Sequence, residues 1–264
     1  MKKPGTGVTN KRRRELASAK AQRQAARRAT RRAQHRRRLV MGWGLAALVV
    51  VVGVAVLALW PRGDAQTTAE PVAVEGCGPA PTPSGTAPTW EAAPKDELVA
   101  GTDYQLTLTT NCGDIVIDTL PSEAPKTVNA MQWLADQGYF DNTLCTRVTT
   151  GNLYVLQCGD PTGTGGGGPG FTLPDENLPE DGTANYPAGT VAMANRGPGT
   201  SGSQFFIVYE DTTLPADYTV WGTVTSGLDI VTKIAEAGVS GGGTDGTPAA
   251  PIGIVSAQVT TGEG

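Results

Sequence analysis

Histidine is nearly absent from this chain of 264 residues: the single one, His35, sits among arginines near the N-terminus. Its scarcity excludes a Ser-His-Asp triad, a Cys-His nucleophile pair and any imidazole metal ligand from everything that follows. Cations are also scarce outside that tail. Of 21 Lys and Arg residues 15 precede residue 39, which leaves six against 24 of the 25 acidic residues, a balance of −18. Lys126, Arg147, Arg196 and Lys233 are the cations left after Lys95. The four cysteines contain no Cys-x-x-Cys pair, so no zinc site is expected and neither metal nor cofactor is implied.

What is present divides into a basic tail, an apolar run and an acidic remainder. Residues 39–60 carry no charged side chain and no proline. At about 1.5 Å per residue they reach roughly 33 Å, enough for a hydrocarbon core of about 30 Å. This predicts one transmembrane helix. A cleaved signal peptide would have a shorter apolar core and a small-residue cleavage site, which Ala58-Leu59-Trp60-Pro61-Arg62 does not offer.

The excess of cations before the helix sets the N-terminus in the cytoplasm and the acidic part outside, at the cell membrane. The tail, 1–38, then lies against anionic lipid. Such a run also fits nucleic acid, but anchoring already accounts for it, so no nucleic-acid partner is expected. Residues 61–100, dense in Pro, Ala and Thr, read as a spacer before a domain at 101–264.

Within that domain alternation predicts strands at 104–110 and 115–120 around a turn at 111–114, and a hairpin from 145–149 and 154–158. Further strands are expected around the glycine-rich loop 195–203, at 218–224 and at 252–259. Helices are expected from Ser122 or Glu123, with Pro125 in the first turn, to a stop at Gly138, and over 228–237. The fold class is therefore mainly β: a closed eight-stranded antiparallel barrel capped by two helices, which leaves no sheet edge exposed. The glycine run 159–170 has no Gly-Lys-Ser/Thr ending and no helix after it, so it reads as a surface loop and not a phosphate site.

Four cysteines allow three pairings. Cys145 and Cys158 flank the second hairpin and can face each other across it, which would leave Cys77 to pin the spacer to Cys112. Asp175 and Glu176 are read as solvated loop carboxylates. Arg147, in an apolar and amide-rich hairpin, stands out.

Leu156-Gln157-Cys158-Gly159-Asp160, Ala192-Met193-Ala194-Asn195 and Gly202-Ser203-Gln204-Phe205-Phe206-Ile207 follow one another in an order and spacing that resemble the cyclophilin-type peptidyl-prolyl cis-trans isomerases over about 106–259. With the basic tail and single span, the resemblance is in particular to the membrane-anchored cyclophilins of high-GC Gram-positive bacteria. It implies a cyclophilin-like barrel that isomerises X-Pro bonds in unfolded or flexible polypeptides without a cofactor.

The resemblance carries the catalytic arginine to Arg147, the backbone-contacting glutamine to Gln157, and the proline pocket to Tyr154, Val155, Met193, Phe206 and Leu214. Ala194 and Asn195 match the edge that pairs with substrate, with Gln204 beside them. Departures are Tyr154 for a phenylalanine, Thr146 for the histidine before the arginine, Tyr218 for a later pocket histidine, and Thr213 for the tryptophan tied to cyclosporin binding. A different use of the same barrel, as a proline-peptide receptor or chaperone with little turnover, is the competing expectation.

Overall fold

Strand β1, Tyr104–Thr110, buries alternate residues, and its antiparallel partner β2, Gly113–Thr119, sets Ile117 opposite Leu106 and Ile115 opposite Leu108. These β-branched and aliphatic side chains stack on one face and begin the core. The computed structural model describes residues 71–261. The tail 1–38 and the apolar run 39–60 lie outside them, and among the described residues no helix is long and apolar enough to cross a membrane.

After β2 come helix α1, Pro125–Asp136, then β3, Thr143–Leu144, β4, Arg147–Thr149, β5, Val155–Cys158, β6, Thr190–Met193, and β7, Phe205–Val208. Strand β8, Val220–Ser226, helix α2, Leu228–Glu236, β9, Asp245–Gly246, and β10, Gly253–Thr261, complete the order. One curled antiparallel sheet runs β3-β10-β1-β2-β8-β6-β7-β5-β4-β9. The expected eight-stranded closed barrel is thus corrected to ten strands in an open order. The reason lies at Cys145 and Thr146, where one chain run bends between β3 and β4. Cys145 N–H donates to the Ile252 carbonyl and Thr146 N–H to the Gln157 carbonyl, each at 3.0 Å, so the run passes from the β10 side to the β5 side without a continuous ladder.

Inside the curl, Trp221, Phe205 and Phe140 are fully buried and meet edge to face, with ring centroids 5.8 and 6.1 Å apart. α1 lays Val128, Met131 and Leu134 against this core, as the apolar spacing predicts, and ends where Gly138 takes a φ of 66°. α2 buries Val231, Ile234 and Ala235. Its N-cap, Gly227, has a φ of 86°, and a Cβ there would collide with the Asp114 carbonyl. Both disulfides, Cys77–Cys112 and Cys145–Cys158, are formed.

The stretch 71–100, expected as a spacer, touches the domain at several points along this range. Val72 N–H bonds the Ala249 carbonyl, and the Asn129 side-chain amide accepts from Glu97 N–H and donates to the Lys95 carbonyl, both at 2.9 Å. Trp90 packs edge-on against Trp133 at 4.7 Å. Val74, Trp90 and Leu98 of this stretch pack against the core, which a proline-rich composition does not reveal.

Asp175 and Glu176 are likewise not free in solvent. No residue at the start of α1 caps it with its own side chain; instead the Glu176 carboxylate accepts from Lys126 N–H at 3.1 Å and from Thr127 N–H and hydroxyl, both at 2.8 Å. An anion there satisfies orphan amides and meets the positive end of the helix dipole. Asp175 accepts from Gly199 N–H. Glu176→Ala should cost about 1 kcal/mol and lower the thermal midpoint by about 2–4 °C. An unchanged melting curve would remove Glu176 as the cap of α1.

Candidate active site

Side chains of β5, β6 and β7 alternate between the barrel interior and an outer face. Leu156, Val191, Met193, Phe205 and Ile207 enter the main core, whereas Val155, Ala192, Phe206 and Val208 join a second apolar cluster outside, with Tyr186 at its centre. Around that cluster lies a cavity of about 130 Å³ lined by Arg147, Leu153, Val155, Gln157, Ala194, Asn195, Phe206, Leu214 and Tyr218. The sequence-predicted Arg147, Gln157, Val155, Phe206, Leu214, Tyr218, Ala194 and Asn195 therefore come together.

Two predicted lining residues do not. Met193 is fully buried in the interior, on the opposite face of β6 from Ala192 and Ala194. Tyr154 turns its ring edge to Tyr209 at 5.8 Å, and Leu153 takes the expected place. Asn152 turns the chain between β4 and β5 with a φ of 60°, and alternation then sets 153, 155 and 157 outward and 154 away.

Polar groups rim the cavity. Gln157 Nε2 donates to Gln204 Oε1 at 2.8 Å, while Gln204 Nε2 donates to the carbonyls of Gly165 and Gly167 at 3.1 and 2.8 Å. Gln204 thereby ties the glycine loop to β7. Beside it opens a second, wider cavity of about 380 Å³, between that loop and Asn195–Gln204, which shares Gln157, Ala194 and Asn195 with the first. The Asn195 side chain donates to the Asp217 carbonyl at 2.7 Å and accepts from Gly197 N–H at 3.1 Å. This holds β6 to the loop that carries Tyr218.

That loop is fastened by residues the sequence reading did not single out. Asn185 clasps the main chain of Leu214 from both sides, accepting at 3.0 Å and donating at 2.8 Å. The Tyr186 hydroxyl accepts from Tyr218 N–H at 3.1 Å and lies 3.2 Å from the Tyr218 carbonyl. The Tyr218 ring stands edge-on to Phe206 with centroids 5.5 Å apart.

Arg147 has a partner 98 residues away. Its Nε and Nη2 each lie 2.7 Å from a different carboxylate oxygen of Asp245, and its Nη1 is 3.5 Å from Gln157 Oε1. The hydrogen bond to Asp245 raises the guanidinium pKa further, and the same bond holds the Asp245 carboxyl below its ordinary range. No local pattern announces Asp245, which opens the two-residue strand β9 between α2 and β10. Among the described residues no group of His, Cys, Asp and Glu is arranged to hold a metal ion.

Chemically, the site offers one fixed cation and an amide beside an apolar hollow, and it presents no nucleophile activated by a base. It suits a reaction in which charge or lone-pair density shifts without a covalent intermediate.

The model of the family described as cyclophilin-type peptidyl-prolyl cis-trans isomerase matches residues 105–259. A probable peptidyl-prolyl cis-trans isomerase B of Mycobacterium tuberculosis is 48% identical over 162 residues, 57% of this chain and 53% of that protein. The chain thus spans about half the length of such mycobacterial relatives. Peptidyl-prolyl cis-trans isomerase-like 1 of Gibberella zeae is 35% identical over 60% of this chain and 96% of its own. A Cryptosporidium parvum cyclophilin-type isomerase, solved in the presence of the dipeptide Ala-Pro, superposes with a TM-score of 0.52 at 28% identity, covering 60% of this chain and 99% of that one.

Burial pushes the hydroxyls of Tyr186 and Tyr209 up to about 12. The folded state therefore favours their neutral forms, and their contribution to stability holds below the ordinary tyrosine value of about 10 and is lost as pH rises towards about 12. In an alkaline absorbance titration Y186F and Y209F should each remove amplitude from the late step, near pH 12. Loss of amplitude near pH 10 instead would contradict the buried setting of these rings.

Proposed function

Because the chain belongs to the cyclophilin-type peptidyl-prolyl cis-trans isomerase family, we propose that it catalyses cis–trans exchange about X-Pro bonds. The observation that carries this reading is the guanidinium of Arg147 at the lip of an outer-face pocket that holds Phe206 and Leu214. At about 130 Å³ the pocket suits one small ring, whereas sites for drug-sized ligands run to about 300–1,000 Å³.

The uncatalysed rotation must give up amide resonance across a barrier of about 18–20 kcal/mol. A proline ring seated on Phe206 sets the prolyl nitrogen beside Arg147. An N–H aimed at the nitrogen lone pair, or at the carbonyl oxygen of the turning bond, is worth more to the twisted amide than to either planar form. Gln157, with Ala194 and Asn195, holds the flanking main chain while the bond turns.

The proposed clients are proline-containing segments of unfolded or flexible proteins outside the cytoplasm. Residues 39–60 would anchor the domain to the cell membrane, and the basic tail would lie on anionic lipid. This placement is supported by the cation asymmetry of the sequence and by two disulfides, which persist in oxidising compartments.

The full-length chain should accelerate exchange in a short Ala-Pro peptide, read from exchange-broadened resonances, and Arg147→Ala should lower kcat/KM by about 10²-fold or more. Binding of the peptide without acceleration by either form would replace the enzyme with a proline-peptide receptor. Leu153→Ala should weaken the same peptide several-fold, about 1 kcal/mol of lost apolar contact, while Tyr154→Ala stays within about twofold. The reverse order would return Tyr154 to the pocket.

A further inference from the structure

We infer that Asp245 is a positioning residue for Arg147, holding the guanidinium in the orientation in which it meets the turning bond. The inference rests on the isomerase reading above and adds to it a residue from outside the motifs that carry the family resemblance.

The contact is bidentate: Asp245 engages Nε and Nη2 with its two oxygens at 2.7 Å, which fixes the plane of the guanidinium as a single bond would not. Nη1 is left facing Gln157. The carboxylate is itself held by main chain. β9 pairs with β4, the arginine's own strand, with Asp245 opposite Thr149 and Gly246 opposite Val148. Thr150 N–H bonds the Thr244 carbonyl at 2.9 Å, and Ser240 N–H bonds the Thr247 carbonyl at 2.8 Å across the base of the loop. The ladder that places Asp245 and the strand that places Arg147 are thus one piece of sheet.

The pair is partly open to water, with side chains 39% and 55% exposed, so it contributes little to the stability of the fold. Its effect is on freedom. Arginine has many rotamers, and an unpaired guanidinium on the outer face would have to be ordered during each turnover. Lys233 engages Asp229, one helical turn away, and not Asp245. The carboxylate therefore acts on Arg147 alone among the described ion pairs.

The test uses the full-length protein as wild type, Asp245→Asn, Asp245→Glu and Arg147→Ala, with the Ala-Pro peptide as substrate and the Nε–H resonance of Arg147 as a second readout. Asp245→Asn should lower kcat about three- to tenfold with KM within about twofold, release the slowed guanidinium rotation seen in the Arg147 resonance, and leave the melting curve in place. Asp245→Glu, which keeps the charge, should restore most of kcat and of the resonance. A kcat for Asp245→Asn equal to or above that of wild type overturns the inference, the second case because the carboxylate would then restrain the arginine. A loss that appears in KM, or that Glu does not restore, also overturns it and makes Asp245 a loop-building residue. If wild type beside Arg147→Ala shows no acceleration, the isomerase reading fails and this inference with it; an active wild type beside an indifferent Asp245→Asn removes only the inference.

Discussion

Three neighbouring strands, β5, β6 and β7, have to serve two apolar faces at once. Leu156, Met193, Phe205 and Ile207 fill the interior while Val155, Ala192 and Phe206 build the outer pocket, so nearly every position is apolar and burial alone does not say which way a side chain points. The period of two decides. A slip of one residue in β7 would send Phe206 inside and Phe205 out, exchanging core for pocket. Register is held at the strand ends by the Cys145–Cys158 disulfide and by Ser203, whose hydroxyl donates to the Gly159 carbonyl at 2.8 Å. Gly159 itself takes a φ of 91° with the Ser203 carbonyl where a Cβ would stand. The close approach at the end of β5 is thus part of what keeps Gln157 and Phe206 on the outer face.

The same domain has many carboxylates and few cations, and five of the carboxylates are held by main-chain amides. Glu176 caps α1, Asp175 holds Gly199 N–H, Asp211 accepts from Ala188 N–H and Asp141 from Ala257 N–H. Asp160 closes the glycine loop by accepting from Thr162 and Gly167 N–H. Burial alone would raise its carboxyl, but the hydrogen bonds from Thr162 and Gly167 bring it below the ordinary value. Among the described residues only two ion pairs form, Lys233 with Asp229 and Arg147 with Asp245. Arg147 at the pocket thus sits in a surface that keeps many exposed carboxylates, of which Asp245 alone pairs with it. Its one charged partner is the one whose strand is bonded to its own.

Much of this could be read from the sequence where the signal is local. Alternation gave β1 and β2, Gly138 marked the end of α1, and the family resemblance named Arg147, Gln157, Asn195 and Phe206, which the fold brings to one cavity. What could not be read is relational. Met193 and Phe206 are equally apolar, and only the position of each in its strand separates core from pocket. Tyr154 was expected in the pocket, yet the turn at Asn152 sets Leu153 outward instead. Asp245 and Glu176 act on residues 98 and about 50 positions away, at distances no window of sequence spans. Ten strands were read as eight because β3 and β9 have two residues each, too short to carry a period.

The proline-rich composition of 71–100 concealed a further dependence. Trp90 N–H bonds the Pro169 carbonyl at 2.8 Å, and a Cβ on Gly170 would meet the Trp90 carbonyl oxygen at 2.7 Å. The arm is pressed onto the loop that walls the wider cavity. That wall is then held from three directions: Asp160 within the loop, Gln204 from β7 and Trp90 from the arm. The first two lie inside the family-matched range 105–259, the third outside it. Removing the arm would leave the barrel's own strands paired but withdraw one support from the loop beside Gln157. Trp90, which lies before β1, therefore takes part in shaping the wall of the wider cavity.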